Sequence, residues 1–361
     1  MAFEKKSDQS AELEHLRLTH NKVGKKVKPS RAELPIIVSL FSGAGGLDCG
    51  FRHHGFKIAL AIDVSAAAIK THKKNFKRTH CVVGDLIGLG PDGVLKKVSE
   101  CIPKGVRIGV IGGPPCQGFS RANTNSKADD PRNKLPSLYL DIVRTLQQHY
   151  VVEFVVFENV LGMRDEKHAE TYKNLITGLG ALRLTVTEKE LCSLDFGVPQ
   201  TRRRIVLSAL RKGQKYSSVK PRKRKGISTV REAIGGLAAP AFFNRQLKPT
   251  DIPVHPNHWT MMPKSIRFSH PESTHPSGRS FKRLNWDMAS PTVAFGHREI
   301  HVHPDGHRRL SIYEAMLLQG FPKSFVLQGN LSEQVEQISN AVPPPLASSV
   351  ASAVKRAIAR K

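Results

Sequence analysis

The sequence predicts an α/β fold, with a doubly wound, mostly parallel sheet and a smaller irregular domain. Two observations carry this. From Leu34 to about Leu210, short β-branched apolar runs alternate with helix-like stretches, the pattern of strand–helix–strand units. Residues with reactive or ligand-binding chemistry recur at the carboxyl ends of those runs, where an open parallel sheet holds its ligands.

In order, Ile36 to Phe41 is the first strand-like run, followed by a glycine-rich turn and a helical stretch to Phe51. Ile58 to Ile62 ends at Asp63, and Ala66 to Phe76 reads as helix. Cys81 to Val83 ends at Gly84-Asp85, Val106 to Ile111 enters a proline-rich turn, and Phe154 to Phe157 leads to Glu158-Asn159. Beyond Leu210 the pattern breaks. Arg211 to Lys225 is basic and punctuated by glycine and proline, a linker or phosphate-facing loop. Residues 240 to 280 are rich in Pro, His, Ser and Asn, with little periodicity. Helical period returns at Ser311 to Gln319 and from Pro345 onward. The expected division is a polar, basic leader (1–34), a catalytic and cofactor-binding domain (35–235), a recognition domain (236–305) and a returning C-terminal segment (306–361). Within the leader, Ala11 to Leu18 suits a short helix and Asn21 to Arg31 is basic.

Composition narrows the class. The chain has 361 residues, 39% of them hydrophobic, enough for a sizeable core. Its 56 Lys and Arg outnumber 30 Asp and Glu, for a formal charge of +26, which points to a polyanionic partner. No apolar run approaches the roughly eighteen residues needed to span a membrane, and the first thirty residues resemble no signal peptide. Five scattered cysteines without Cys-x-x-Cys spacing argue against a disulfide framework or structural zinc and for a cytoplasmic setting. The sixteen histidines show no metal-ligand spacing, and His297, His301, His303 and His307 read as surface and loop residues.

Three constellations carry chemistry. Phe41-Ser-Gly-Ala-Gly-Gly-Leu-Asp-Cys-Gly50 lies between strand and helix, with Asp63 ending the next strand and Asp85 the third. Glycines admit a ligand to the backbone, and the acids suit ribose hydroxyls and an adenine amine. A nucleoside-bearing cofactor follows, and a dinucleotide oxidoreductase fits this part equally well. The second is Gly-Gly-Pro-Pro-Cys-Gln-Gly-Phe-Ser (112–120) with Glu158. Two prolines stiffen the chain before Cys116, and a carboxyl group at the neighbouring strand end can protonate a ring nitrogen while sulfur adds to the ring. The third is Gln-Thr-Arg-Arg-Arg (200–204), where strand alternation puts Arg202 and Arg204 on one face and Arg203 on the other.

Together and in this order, these segments resemble the C5-cytosine DNA methyltransferases of bacterial modification type, over residues 35 to 361. The resemblance implies the class I S-adenosylmethionine-dependent methyltransferase fold. It assigns cofactor contacts to Phe41, Gly43, Gly45, Gly46 and Leu47 in the first motif and to Asp63, where the family usually has Glu. Val64 replaces a frequently aromatic neighbour of the adenine, and Asp85, Leu86, Pro115, Leu135, Asn340 and Ala341 complete the set. Asp130-Pro131-Arg132-Asn133 resembles the fifth motif. Arg283-Leu284 through Pro291-Thr292-Val293 resembles the ninth, and Ser339 stands where the tenth usually has glycine. The catalytic residues implied are Cys116 (nucleophile on C6), Glu158 (hydrogen-bonding or protonating N3 and reading the exocyclic amine), Arg204 (contact to O2) and Arg202 (steadying the pocket).

The partner implied is double-stranded DNA, its target cytosine flipped out and its sequence read by the recognition domain, with Asn257-His258-Trp259 to Arg279 as the specificity segment. A monomer, no metal, and a restriction endonuclease sharing the site are further expectations. Two rivals remain. A tRNA cytosine methyltransferase usually carries Pro-Pro-Cys-Gln-Pro-Phe-Thr, whereas Gly118 and Ser120 stand here. A silent DNA-binding regulator would show a damaged cysteine turn or lack Glu158, and both are intact.

Overall fold

The computed structural model describes residues 33–115, 134–214, 216, 219–221, 226–270, 281–292, 294–295 and 299–359. Leu34–Lys361 make up one compact unit. Its centre is a seven-stranded sheet: β1 (Ile36–Leu40), β2 (Ile58–Asp63), β3 (His80–Val83), β4 (Arg107–Gly112), β5 (Val151–Asn159), β6 (Leu184–Cys192) and β7 (Arg203–Arg211). The strand order is β3-β2-β1-β4-β5-β7-β6. The first five strands pair in parallel, while β7 runs antiparallel to both β5 and β6.

Burial explains why the strands read as continuous apolar runs. Helices cover both faces, so consecutive residues enter opposite layers: Ile37 packs with Phe51, Phe154 and Leu346, while Val38 packs with Leu60, Tyr139 and Val155. The covering helices are α1 (Gly46–His53), α2 (Ala66–Asn75), α3 (Leu86–Ser99), α4 (Leu135–Gln147) and α5 (Ala169–Ala181). After the small α6 (Val230–Ile234) come α7 (Ile312–Leu318), α8 (Leu331–Asn340) and α9 (Pro344–Ala359). Local chemistry sets their starts. Ser65 caps α2 through Ala68 N, and capping boxes Ser311/Glu314 and Asn330/Glu333 open α7 and α8. No described helix is long and apolar enough to cross a membrane.

Register decides where the site lies. Leu40 pairs with Gly112, Asp63 with Val83 and Gly112 with Phe157, so the carboxyl ends of five parallel strands align. Antiparallel β7 starts at that same edge, because Asn159 pairs with Ile205. Strand β6 is the one the sequence reading lacks. It is an edge strand whose Thr, Glu and Lys side chains leave much of its length open to solvent, and nothing in it reads as an apolar run.

Residues 236–310 form few regular elements: pairs Ala241–Phe242 with Trp259–Thr260 and Ala294–Phe295 with Glu299–Ile300. Buried polar side chains hold this region. Asn257 Nδ2 donates to Leu327 O (3.1 Å) and Gln334 Oε1 (3.0 Å), while its Oδ1 accepts from Leu327 N (2.9 Å). His258 links Ser311 Oγ (2.9 Å) and Ala238 O (2.7 Å).

Candidate active site at the carboxyl edge of the sheet

The glycine loop starts at Phe41, a non-glycine residue held in left-handed backbone (φ 51°), which is strained and is tolerated only where surroundings fix it. Asp63 locks the loop that follows. Its Oδ2 accepts from Gly43 N at 2.8 Å and its Oδ1 from Ser65 N at 2.9 Å. Burial pushes this carboxyl up, and those two N–H groups oppose the shift. Gly45 (φ 92°) has no room for a side chain, since a Cβ would stand 2.5 Å from the Phe76 ring. A Cβ at Gly46 would meet Val342 O at 2.3 Å, whereas one at Gly43 meets nothing within 4 Å. The loop's glycines thus serve packing within the chain as well as access, and only Gly43 faces open space. Asp85 caps α3 through Ile87 N (3.0 Å).

Along the same edge, three apolar side chains stand open: Val64 (70% exposed), Val83 (53%) and Ile87 (52%). Leu86, Leu47 and Leu135, by contrast, bury their side chains in the core. The motifs do not single out Ile87. Its exposure at the third strand end is a structural signal with no sequence counterpart.

The second half of the site is polar, with Glu158 and Arg202 buried. Glu158 is buried, with Arg204 Nε 3.0 Å from its Oε1. Burial pushes the Glu158 carboxyl up, and the charges of Arg204 and Arg202 only partly oppose this, so the acid form persists to a higher pH than in an ordinary glutamate. Gly113 makes room for it, because a Cβ there would lie 2.8 Å from Glu158 Oε2. Asn159 Nδ2 donates to Pro114 O at 3.2 Å and ties the end of β5 to the proline turn. Arg202 is buried and donates to Ser339 O at 2.8 Å, while Arg203 points outward, 60% exposed. The alternation predicted for the three arginines is present.

A buried amide chain joins this edge to the C-terminal segment. Gln200 Nε2 donates to Gln319 Oε1 (2.6 Å), and Gln319 Nε2 donates to Ala341 O (2.7 Å). Ala341 is buried beside exposed Asn340, so both predicted tenth-motif residues sit next to the segment packed on Gly46.

Residues 36–356 match the family described as C-5 cytosine-specific DNA methylase. The chain belongs to this family. It is 32% identical to Type II methyltransferase M.NmeDI of Neisseria meningitidis serogroup C, covering 89% of this chain and 83% of that one. Against Type II methyltransferase M1.HphI of Haemophilus parahaemolyticus the identity is 33%, covering 88% and 86%. Among solved structures, one described as a DNA modification methyltransferase encoded within an E. coli prophage superposes with a TM-score of 0.73 at 25% identity. It covers 91% of this chain and 100% of that one. The S. pombe Dnmt2 methyltransferase shares the fold, with a TM-score of 0.62 at 16% identity. The chain is an enzyme, a DNA (cytosine-5-)-methyltransferase of the class I methyltransferase fold, and that fold implies S-adenosylmethionine as cofactor.

Several expectations for this DNA methylase need correction or fall elsewhere. Cys116, Asp130 to Asn133, and the leader through Arg31 lie outside the described residues, as do Gly118 and Ser120. Asn257 and His258, expected in a specificity segment, are buried and bonded into the fold, so they cannot reach base edges. His301 and His303, expected at the surface, are each only 4% exposed. Among the described residues, no group of three or more His, Cys, Asp or Glu is placed to hold a metal ion.

Proposed function

We propose that this DNA methylase transfers a methyl group to C5 of a cytosine within one short sequence of duplex DNA, by thiolate addition of Cys116 to C6 of a flipped-out base. The observation that supports it best is the buried Glu158–Arg204 pair at 3.0 Å, beside the proline turn that leads into Cys116.

The chemical difficulty is that C5 of cytosine is a poor nucleophile. An unperturbed thiol titrates near about 8.5, so the Cys116 site must favour its thiolate. As sulfur bonds to C6, the Glu158 carboxyl gives its proton to N3, and the C5–C6 π electrons become available at C5. The raised affinity of Glu158 for its proton suits that donation. In this reading Arg204 contacts O2, and Arg202, which donates to Ser339 O, steadies the pocket. Once C5 has taken up the methyl group, a base removes the C5 proton, elimination breaks the S–C6 bond to release Cys116, and N3 returns its proton to Glu158.

The cradle fits the implied cofactor. Open space at Gly43, the Asp63 carboxylate with lone pairs beyond its two N–H partners, and the exposed Val64, Val83 and Ile87 suit a ribose and a purine face. The remaining contacts would come from Phe41, Gly45, Gly46, Leu47, Asp85, Leu86, Pro115, Leu135, Asn340 and Ala341. When bound, S-adenosylmethionine supplies the electrophilic methyl group that C5 takes up.

Base extrusion costs a few kcal/mol, and the +26 charge supplies backbone attraction. The segment 236–305 serves as the recognition domain, between the catalytic domain (35–235) and the returning segment (306–361). The relatives named Type II methyltransferases suggest a modification enzyme paired with an endonuclease of the same specificity, and the sequence expectation of a cytoplasmic monomer goes with it. Labelled-methyl transfer to duplex DNA tests the reading. Cys116→Ala should abolish transfer and retain DNA binding, and turnover in that variant would overturn the mechanism.

A further inference from the structure

Beneath the glycine loop lies a polar cluster that the chemistry above does not use. His72 of α2 is fully buried between Asp48 of α1 and Cys81 of β3. Its Nε2 lies 3.3 Å from Asp48 Oδ1, and its Nδ1 lies 3.4 Å from Cys81 Sγ. Ser39 Oγ of β1 donates to the other Asp48 oxygen at 3.1 Å. The Nε2–Oδ1 separation is long for a charge-assisted hydrogen bond, and neither atom has another hydrogen-bond partner. Polar contact and charge therefore act together across this pair, in a place where water cannot weaken them.

The position matters more than the pair. The His72 ring stacks on Phe76 (centroids 4.2 Å apart, 21° between planes). These two rings lie directly against Gly45, where an added Cβ would meet Phe76 at 2.5 Å and His72 Cδ2 at 3.0 Å. Asp48 belongs to the first turn of the helix that the loop opens. One ring thus touches the loop from below and is attracted, through Asp48, to the helix that continues it. A purely apolar floor would support Gly45 from below but would not fix the first turn of α1 against it.

We propose that His72 is a positioning residue for the cofactor cradle: anchored by Asp48 and Cys81, it sets Gly45 and the start of α1 in the arrangement that receives the cofactor. It acts through the loop and touches no reacting atom. The inference rests on the reading of Phe41–Gly46 as the cradle.

The test is calorimetric binding of S-adenosylhomocysteine by the full chain, alongside steady-state kinetics on duplex DNA. His72→Ala should weaken binding by about tenfold and raise the cofactor KM comparably, leaving kcat at saturating cofactor within about twofold. His72→Gln, whose terminal amide can still reach Asp48, should recover affinity to within about threefold of wild type. Asp48→Asn, which keeps shape and removes charge, should weaken binding by about fivefold. Should His72→Ala fail to fold, His72→Gln and Asp48→Asn decide the matter between them. Wild-type affinity in Asp48→Asn together with a lowered melting temperature would reduce the cluster to core packing and overturn the proposal. Equal losses in His72→Ala and His72→Gln would do the same. A wild-type chain that bound no S-adenosylhomocysteine would instead overturn the cradle itself.

Discussion

The sheet and the region after it bury histidine in opposite states. Under the glycine loop, burial works against the charge on His72, yet Asp48 and Cys81 push its pKa up to about 9. In residues 236–310, burial holds His255, His301 and His303 below the ordinary value of 6.5. Burial thus favours the neutral form of each of these three, and each takes part in local packing. His255 stacks on Tyr313 (4.2 Å), and His301 Nε2 lies 2.8 Å from Thr292 O. The difference teaches what polar burial does in each half. Apolar strand registers already build the sheet, so a polar group such as His72 is not needed to hold its strands together. The later region has almost no regular ladder, and its buried Asn and His side chains supply the hydrogen bonds that a ladder would otherwise make.

Four perturbations break or sharpen that contrast. The largest concerns the catalytic edge. Glu158→Gln keeps the shape and removes the donor proton, so methyl transfer should fall by roughly 10²–10⁴-fold, read as kcat on duplex DNA. Next is Asn257→Ala, which strands Leu327 N, Leu327 O and Gln334. Chemical denaturation should show a loss of about 3 kcal/mol, with no comparable change in cofactor affinity.

The two smaller effects lie in the pH dependence of stability. His255, His301 and His303 have folded pKa values below the unfolded one, so their contribution is complete above about 6.5 and is lost as pH falls below it. His72 has the opposite sign. Its contribution is complete below about 6.5 and is lost as pH rises from there through about 9. The melting temperature should therefore peak near neutrality. His301→Gln should flatten the acid limb alone, and His72→Gln the alkaline limb alone. An alkaline limb unchanged in His72→Gln would show that His72 is not the charged member of its cluster.

Legibility in the sequence divides along the same line. Strands β1, β2, β4 and β5 were readable because both faces are buried, which leaves continuous apolar runs ending at motif residues. The turn of Arg203 away from Arg202 and Arg204 followed from strand alternation. Strand β6 was hidden by its polar edge position, and Ile87 by neighbouring Leu86, because composition does not say which of two adjacent apolar residues faces inward. Asn257, His258, His301 and His303 misled for a physical reason. Polar residues without periodicity suggest an open loop, and the partners that bury them do not show in the sequence: Asn257 bonds Leu327, 70 positions away, His258 bonds Ser311, 53 away, and His301 meets Thr292 O across a turn of nine.

The central claim, C5 methylation of cytosine in duplex DNA, is tested most directly by base-resolution bisulfite sequencing of DNA from cells expressing the protein. The account predicts conversion-resistant cytosines confined to one short sequence and absent from cells expressing Cys116→Ala. Fully convertible DNA, with labelled methyl groups recovered only in tRNA, would contradict it.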